Sequence, residues 1–212
     1  MDRLAHDLRG PLAPMQTAVY LLRDGRTSDA QRGELLAMIE RQVQRLSGMI
    51  DELSDFGRVQ KGRLVGRVEA IDVELLVADV VTRLQSVPPE VSFGPGARGV
   101  QIEGDILRIG QLMRVLLGLQ FSPRHPAPVR ALLERTETGV RMTCAVQFHD
   151  ADDQLIESLF RLPQPEPPDD TLGLGLMIAA AIAQAHGGHL AGRASAADTA
   201  ELVLELPAHS PA

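Results

Sequence analysis

The residues best equipped for chemistry cluster at three places in this 212-residue chain. Near the start, "LAHDLRGPL", Leu4 to Leu12, sets His6 beside Asp7, with Arg9 and then Pro11 close behind. A neutral imidazole nitrogen is a nucleophile near neutral pH, and an adjacent carboxylate can fix its tautomer and stabilise developing positive charge. Further on, "FHDADDQLIESLF" groups the acids Asp150, Asp152 and Asp153. Finally, Gly173 and Gly175 in "LGLGLMIAAAIAQAHGG" precede an apolar helix. Glycines at that place can cradle phosphate on backbone N–H groups. They can equally give only a tight turn into the helix, which is the favoured reading.

These groups need elements to hold them. Leu36, Ile39, Val43, Leu46, Ile50 and Leu53 recur at alternating spacings of three and four, the stripe of a bundle or coiled-coil helix, with Ser28 and Asp29 offering its N-cap. Leu4, Leu8, Leu12, Met15, Val19 and Leu22 form a second stripe, and "RDGRTSD" is the turn between the two helices. At about 100° per residue, His6 points away from Leu4 and Leu8, toward water. Pro11 lacks an N–H and should free the carbonyl of Asp7, and Pro14 should do the same to Gly10, loosening the helix below the histidine. A lone hairpin leaves its apolar faces wet. Two chains pairing as a homodimeric four-helix bundle is the expected solution, ahead of an intrachain bundle with later helices.

After "KGRLVG", near residue 64, the pattern changes. Strands are expected at "RLVGRVEAIDV" and "GVQIEG", and helices at "VELLVADVVTRLQ" and "DILRIGQLMRVLLGLQF". A β-hairpin turning at Gly139 follows, then the glycine-opened helix closed by Gly187 and Gly188, then strands at "HLAGRAS" and "ELVLELP". The Pro-rich "LPQPEPPDD", residues 162–170, reads as a loop. The fold class is therefore α+β: a helical hairpin over residues 1–64, then an α/β sandwich over 65–212 with helices on one face of a mixed sheet.

A net charge of −7 and a pI near 5.4 argue against unspecific binding to nucleic acid or an anionic membrane. The single Cys144 rules out an intrachain disulfide and suggests a buried thiol in a reducing compartment. No apolar run is long enough to cross a bilayer, and "MDRLAHDLR" is too charged for a signal peptide, so a cytoplasmic location is expected.

"LAHDLRGPLAPM" resembles the phospho-acceptor box of two-component sensor histidine kinases. The resemblance implies that the hairpin is a dimerisation and phosphotransfer domain, with His6 as phospho-acceptor, Asp7 orienting the imidazole and Pro11 loosening the helix. "DILRIGQLMRVLLGLQFSP" is similar to the helix carrying that family's asparagine box. "LGLGLMIAAAIAQAHGG" is similar to its glycine-rich ATP-lid segment and following helix, which implies an ATPase-like sandwich. In order and spacing the likeness covers nearly the whole chain.

Several positions depart from the family pattern. Aligned through Arg108 and Gln111, Val115 and Leu119 stand where the family has asparagines that bind nucleotide phosphate and magnesium. An aliphatic side chain offers no oxygen to a hard cation. The family's adenine box, an Asp with two glycines, corresponds to the glycine-free "FHDADDQLIESLF". Thr171 replaces the first lid glycine, leaving Gly173 and Gly175 as nucleotide-lid remnants. Gly10 holds the place four residues after the histidine where phosphatase-competent members carry Thr or Asn.

The expectation is a histidine-kinase-like phosphotransferase, a pseudokinase in a phosphorelay. It would exchange phosphoryl groups between His6 and an aspartate on a response-regulator receiver domain. It would need no cofactor of its own and no ATP, magnesium arriving with the receiver. Two alternatives stay open: an ATP-dependent sensor histidine kinase with an unorthodox pocket, and a non-catalytic dimeric scaffold that binds a response regulator.

Overall fold

A computed structural model describes residues 7–84, 87–121, 126–149, 152–164, 167, 171–195 and 198–209. The chain forms two compact units, residues 1–54 with 170–172, and residues 55–169 with 173–212.

The first unit holds a helical hairpin of α1 (Leu12–Asp24) and α2 (Asp29–Gln60), the last turns of α2, from Asp55 on, belonging to the second unit. Gly25 ends α1 in the left-handed region at φ 69°, where a Cβ would be strained. Ser28 begins α2 as the sequence suggests. Its Oγ accepts from the Gln31 N–H at 3.3 Å while its own N–H donates to Gln31 Oε1 at 3.0 Å, a reciprocal capping box. Along α2 the apolar stripe faces outward: Leu36, Val43, Ile50 and Leu53 are exposed in the single chain. Upstream, residues 7–9 are helical and the chain breaks at Gly10–Pro11.

Pro11 therefore does interrupt the helix, becoming the N-cap residue of α1. The carbonyl of Asp7 is not left free, however, because the Gly10 N–H donates to it at 3.3 Å. Pro14 does not loosen anything. It is the third residue of α1, where a backbone N–H would have no intrahelical partner, so its missing hydrogen costs nothing.

The second unit runs β1 (Glu69–Asp72), α3 (Val73–Arg83), β2 (Glu90–Phe93), β3 (Gln101–Gly104), α4 (Ile106–Leu117), β4 (Arg130–Arg135), β5 (Gly139–Gln147), α5 (Asp153–Leu159), α6 (Gly175–Ala185), β6 (His189–Ser195) and β7 (Thr199–Pro207). The five-stranded sheet has order β2-β4-β5-β7-β6, and β1 pairs with β3 in a separate ribbon. Among the described residues only the β2–β4 pairing is parallel, so the sheet is mixed. Leu133, Met142, Leu204 and Leu190 lie in register across four strands, all buried. Ile109, Leu112, Met113 and Leu116 of α4 and Ile178, Ala179, Ile182 and Ala183 of α6 complete the core. Each large aliphatic side chain buried this way contributes roughly 1.5–3 kcal/mol of transfer free energy.

The strand expected over residues 63–73 shortens to Glu69–Asp72, because the Gly66 N–H is taken by the Asp105 carboxylate and not by a neighbouring strand. Two elements go beyond the sequence reading. β2, "EVSF", has only two apolar residues and is defined by its distant partner β4. α5 has seven residues and buries just Ile156 and Leu159, too few to show a period. It packs on β6 at Gly192, where a Cβ would stand 2.7 Å from Ile156 Cγ2.

Candidate functional site

Of the phospho-acceptor box, His6 lies outside the described residues. Asp7 is half-buried in the short helical turn ahead of the Gly10–Pro11 break; Arg9 and Gly10 are exposed, and Pro11 is buried.

In the second unit, α4 is positioned from both ends of its motif. Asp105 Oδ1 accepts from the N–H groups of Leu107 at 3.0 Å and Arg108 at 3.2 Å, capping the helix. Its Oδ2 accepts from the Gly66 N–H at 2.8 Å, and a Cβ on Gly66 would crowd that oxygen at 2.9 Å. The Asp105 N–H donates to His186 Nε2 at 3.1 Å. Nε2 must therefore accept, which places the imidazole proton on Nδ1, 2.8 Å from the Ile182 carbonyl it donates to. His186 is buried and ties the start of α4 to the end of α6. Its role is structural, and His189 is exposed at the first position of β6.

Arg108 and Gln111, the residues that anchor the alignment to the asparagine box, grip Asp55. Arg108 Nη1 lies 2.7 Å from Asp55 Oδ1 and 2.8 Å from Gln111 Oε1, and Gln111 Nε2 donates to Asp55 Oδ2 at 2.7 Å. Each group satisfies another, a closed triangle of charge-assisted bonds. Sequence reasoning did not find it, because Asp55 is 53 residues from Arg108 and carries no local signal.

The candidate nucleotide positions are apolar in fact as in sequence. Val115 faces α6: its Cγ1 lies 3.6 Å from where a Cβ on Gly175 would be. Leu119 follows the Gly118 cap of α4 and is half-buried. Gly173 adopts φ 73°, and its carbonyl accepts from the Gln164 N–H at 2.9 Å. A Cβ there would sit 2.7 Å from the Gln164 carbonyl oxygen. Both constraints demand glycine without any ligand. The acids also have local tasks. Asp152 caps α5 by accepting from the Leu155 N–H, and Asp153 Oδ1 accepts from the Ala194 N–H, both at 2.6 Å. Asp150 lies outside the described residues. Among the described residues no three His, Cys, Asp or Glu side chains are grouped to hold a metal ion.

Phe121, just past α4, and Phe148, just past β5, stack face to face with centroids 3.9 Å apart and planes 10° from parallel. Burial pushes the Cys144 thiol up to about 12, so it stays protonated and unreactive.

Known proteins agree with this anatomy. Residues 1–62 match the His Kinase A (phospho-acceptor) domain family. The chain is 28% identical to the sensor protein ChvG of Rhizobium meliloti over 232 aligned positions, covering 97% of this chain and 39% of that protein. It is 30% identical to a bacteriophytochrome of Pseudomonas aeruginosa over 202 positions, covering 88% of this chain and 26% of that protein. It thus spans well under half the length of these curated relatives. Among solved structures, the Acinetobacter baumannii histidine kinase AdeS superposes with TM-score 0.70 at 19% identity, covering 96% of this chain and 98% of that one. Histidine kinase ThkA, in a complex with response regulator protein TrrA, superposes with TM-score 0.72 at 17% identity, covering 98% and 60%. These two likenesses show the shared fold, a helical hairpin followed by an α/β domain. No helix among the described residues is long and apolar enough to cross a membrane. The acceptor-box match over the hairpin, together with homology that runs on through the sheet domain, establishes that this chain belongs to the two-component sensor histidine kinase family.

Proposed function

We propose that this chain is a phosphotransfer core that works without ATP, relaying phosphoryl groups between His6 and response-regulator receiver domains. The observation that carries the reading is the chemistry of α4 and its flank. Val115 packs toward Gly175 with methyl groups, and Leu119 is equally devoid of oxygen, so neither can hold magnesium or a phosphate. Gly173 is accounted for by its left-handed backbone and its close approach to Gln164.

In the forward step, a lone pair on an imidazole nitrogen of His6 attacks the phosphorus of a receiver's aspartyl phosphate. The N–P bond forms as the P–O bond to the carboxyl group breaks, and the aspartate leaves as a carboxylate. Asp7 stabilises the positive charge on the ring. The reverse step delivers the group to a second receiver. Magnesium belongs to the receiver in both directions. The complex of ThkA with TrrA supports a receiver as partner, and the outward apolar stripe of α2 supports a homodimer built as a four-helix bundle.

Calorimetric titration of the whole chain with ATP and magnesium tests the ATP-independent part. No saturable heat is expected. Tight, magnesium-dependent binding would reject it in favour of an ATP-dependent kinase with an unusual pocket.

A further inference from the structure

Besides its outward stripe, α2 has an inner one on the side turned to α1. Leu35, Met38, Gln42, Arg45 and Met49 recur at spacings of three and four, and each is buried or half-buried in the single chain. Gln42 is the member without a settled place. Its Oε1 is closed off from solvent and, among the described residues, has no hydrogen-bond partner. An enclosed acceptor without a donor has lost its hydration and gained nothing for it.

The hairpin locates that oxygen. α1 ends at Asp24 and α2 starts at Asp29, so residues at equal distances from the turn lie in one layer. Ala18 then meets Leu35, Met15 meets Met38, and Pro11 meets Gln42. The burial agrees with this register, since Ala18 and Pro11 are buried and Met15, Leu35 and Met38 are half-buried. Pro11 is the N-cap residue of α1 and supplies no side-chain cap. The first N–H groups of a helix have no carbonyl of their own helix behind them. Pro11 and Pro14 carry no N–H, so the donors left in this first turn are Leu12 and Ala13. A stranded acceptor on α2 thus shares a layer with two donors on α1 that lack an intrahelical partner.

We propose that Gln42 is a latch on the break in α1. Its side-chain carbonyl swings onto the N–H groups of Leu12 and Ala13 to cap the helix, and the arrangement seen here is the unlatched one. Closing satisfies acceptor and donors together. It also fixes the direction in which the turn bearing Asp7 leaves α1. The inference rests on phosphotransfer at His6 and deepens it: Gln42 is a positioning residue, acting through the turn next to His6 and touching no reacting atom.

Amide hydrogen exchange at Leu12 and Ala13, followed by NMR on the whole chain, reads the latch itself. Label transfer from a phosphorylated receiver reads its consequence. Gln42→Leu fills the same layer without an acceptor. Exchange at both amides should become about fivefold faster than in wild type, the factor that a helix cap of typical strength is worth. Transfer at saturating receiver should slow by about the same factor, with the receiver concentration for half-maximal rate unchanged. Gln42→Glu keeps an acceptor, and its charge suits a helix N-terminus, so it should restore both slow exchange and transfer. A glutamine that only packs predicts otherwise: Gln42→Leu would leave exchange and transfer as they are. Should Gln42→Glu fail to fold by circular dichroism, Gln42→Leu against wild type decides alone. Equal exchange in those two would overturn the latch. Exchange that depends on Gln42 while transfer ignores it would overturn the positioning role. If wild type accepts no label at all, the relay falls, and exchange still decides the latch.

Discussion

Asp55 stands 2.7 Å from Arg108, with only 14% and 13% of the two side chains exposed, and the contact fastens the last turns of α2 to α4. Because Gln111 completes the triangle, both carboxylate oxygens are engaged. The residues that anchor the likeness to the asparagine-box helix therefore hold α4 to the last turns of α2.

Removing one charge leaves the other largely buried, with Gln111 as its neutral partner. Asp55→Asn or Arg108→Ala should each lower unfolding free energy by about 1–3 kcal/mol in urea titrations, and the double variant should cost clearly less than their sum. Additive effects, each below about half a kcal/mol, would show that the triangle is no more than a surface contact.

Ile50 is 59% exposed in the single chain, toward the C-terminal end of the outward stripe. Ile50→Glu should leave helix content unchanged while shifting light scattering from dimer toward monomer, because a charge buried in a bundle seam is costly. A wild type that is monomeric at micromolar concentration would remove the dimer.

Gly173 combines φ 73° with close approach to Gln164. Gly173→Ala should cost about 1–3 kcal/mol of stability through backbone strain. Phosphotransfer by the protein that remains folded should be unaffected. Loss of transfer in a fully folded variant would return this glycine to a ligand role.

Cys144 supplies a pH dependence. Its pKa is 9.0 when free and about 12 in the folded protein, raised by burial. The unfolded chain loses this proton first, so the stabilising effect is complete below pH 9 and declines as pH rises from there toward 12. Chemical unfolding of Cys144→Ala against wild type across that range should show wild type falling faster. Alkylation by iodoacetamide should require unfolding. Rapid labelling of native protein at pH 8 would contradict the burial.

The elements legible in sequence were those with a period of their own. The Leu36–Leu53 stripe, the hairpin turn at Gly139 and the N-cap at Ser28 all announce themselves within a few residues. β2 and α5 were invisible because their partners, β4 and Gly192 of β6, are distant in sequence and they bury too little to leave a pattern. At the site, residue chemistry was readable at Val115 and Leu119, since an aliphatic group lacks lone pairs wherever it lies. The tasks of Gly173, Asp105, Asp152 and Asp153 were not, because each is defined by a backbone group that only folding brings near. Pro14 shows the converse error. A helix breaker is harmless once the helix begins two residues before it.

Phosphoryl transfer to His6 is tested most directly by mixing the chain with a cognate receiver carrying labelled aspartyl phosphate, in magnesium and without ATP. Label should move to this chain, be lost in acid and survive base, as a phosphoramidate does. His6→Ala should abolish it, and Asp7→Asn should slow it without eliminating it. Acid-labile label persisting in His6→Ala, or label acquired only from ATP, would contradict the relay.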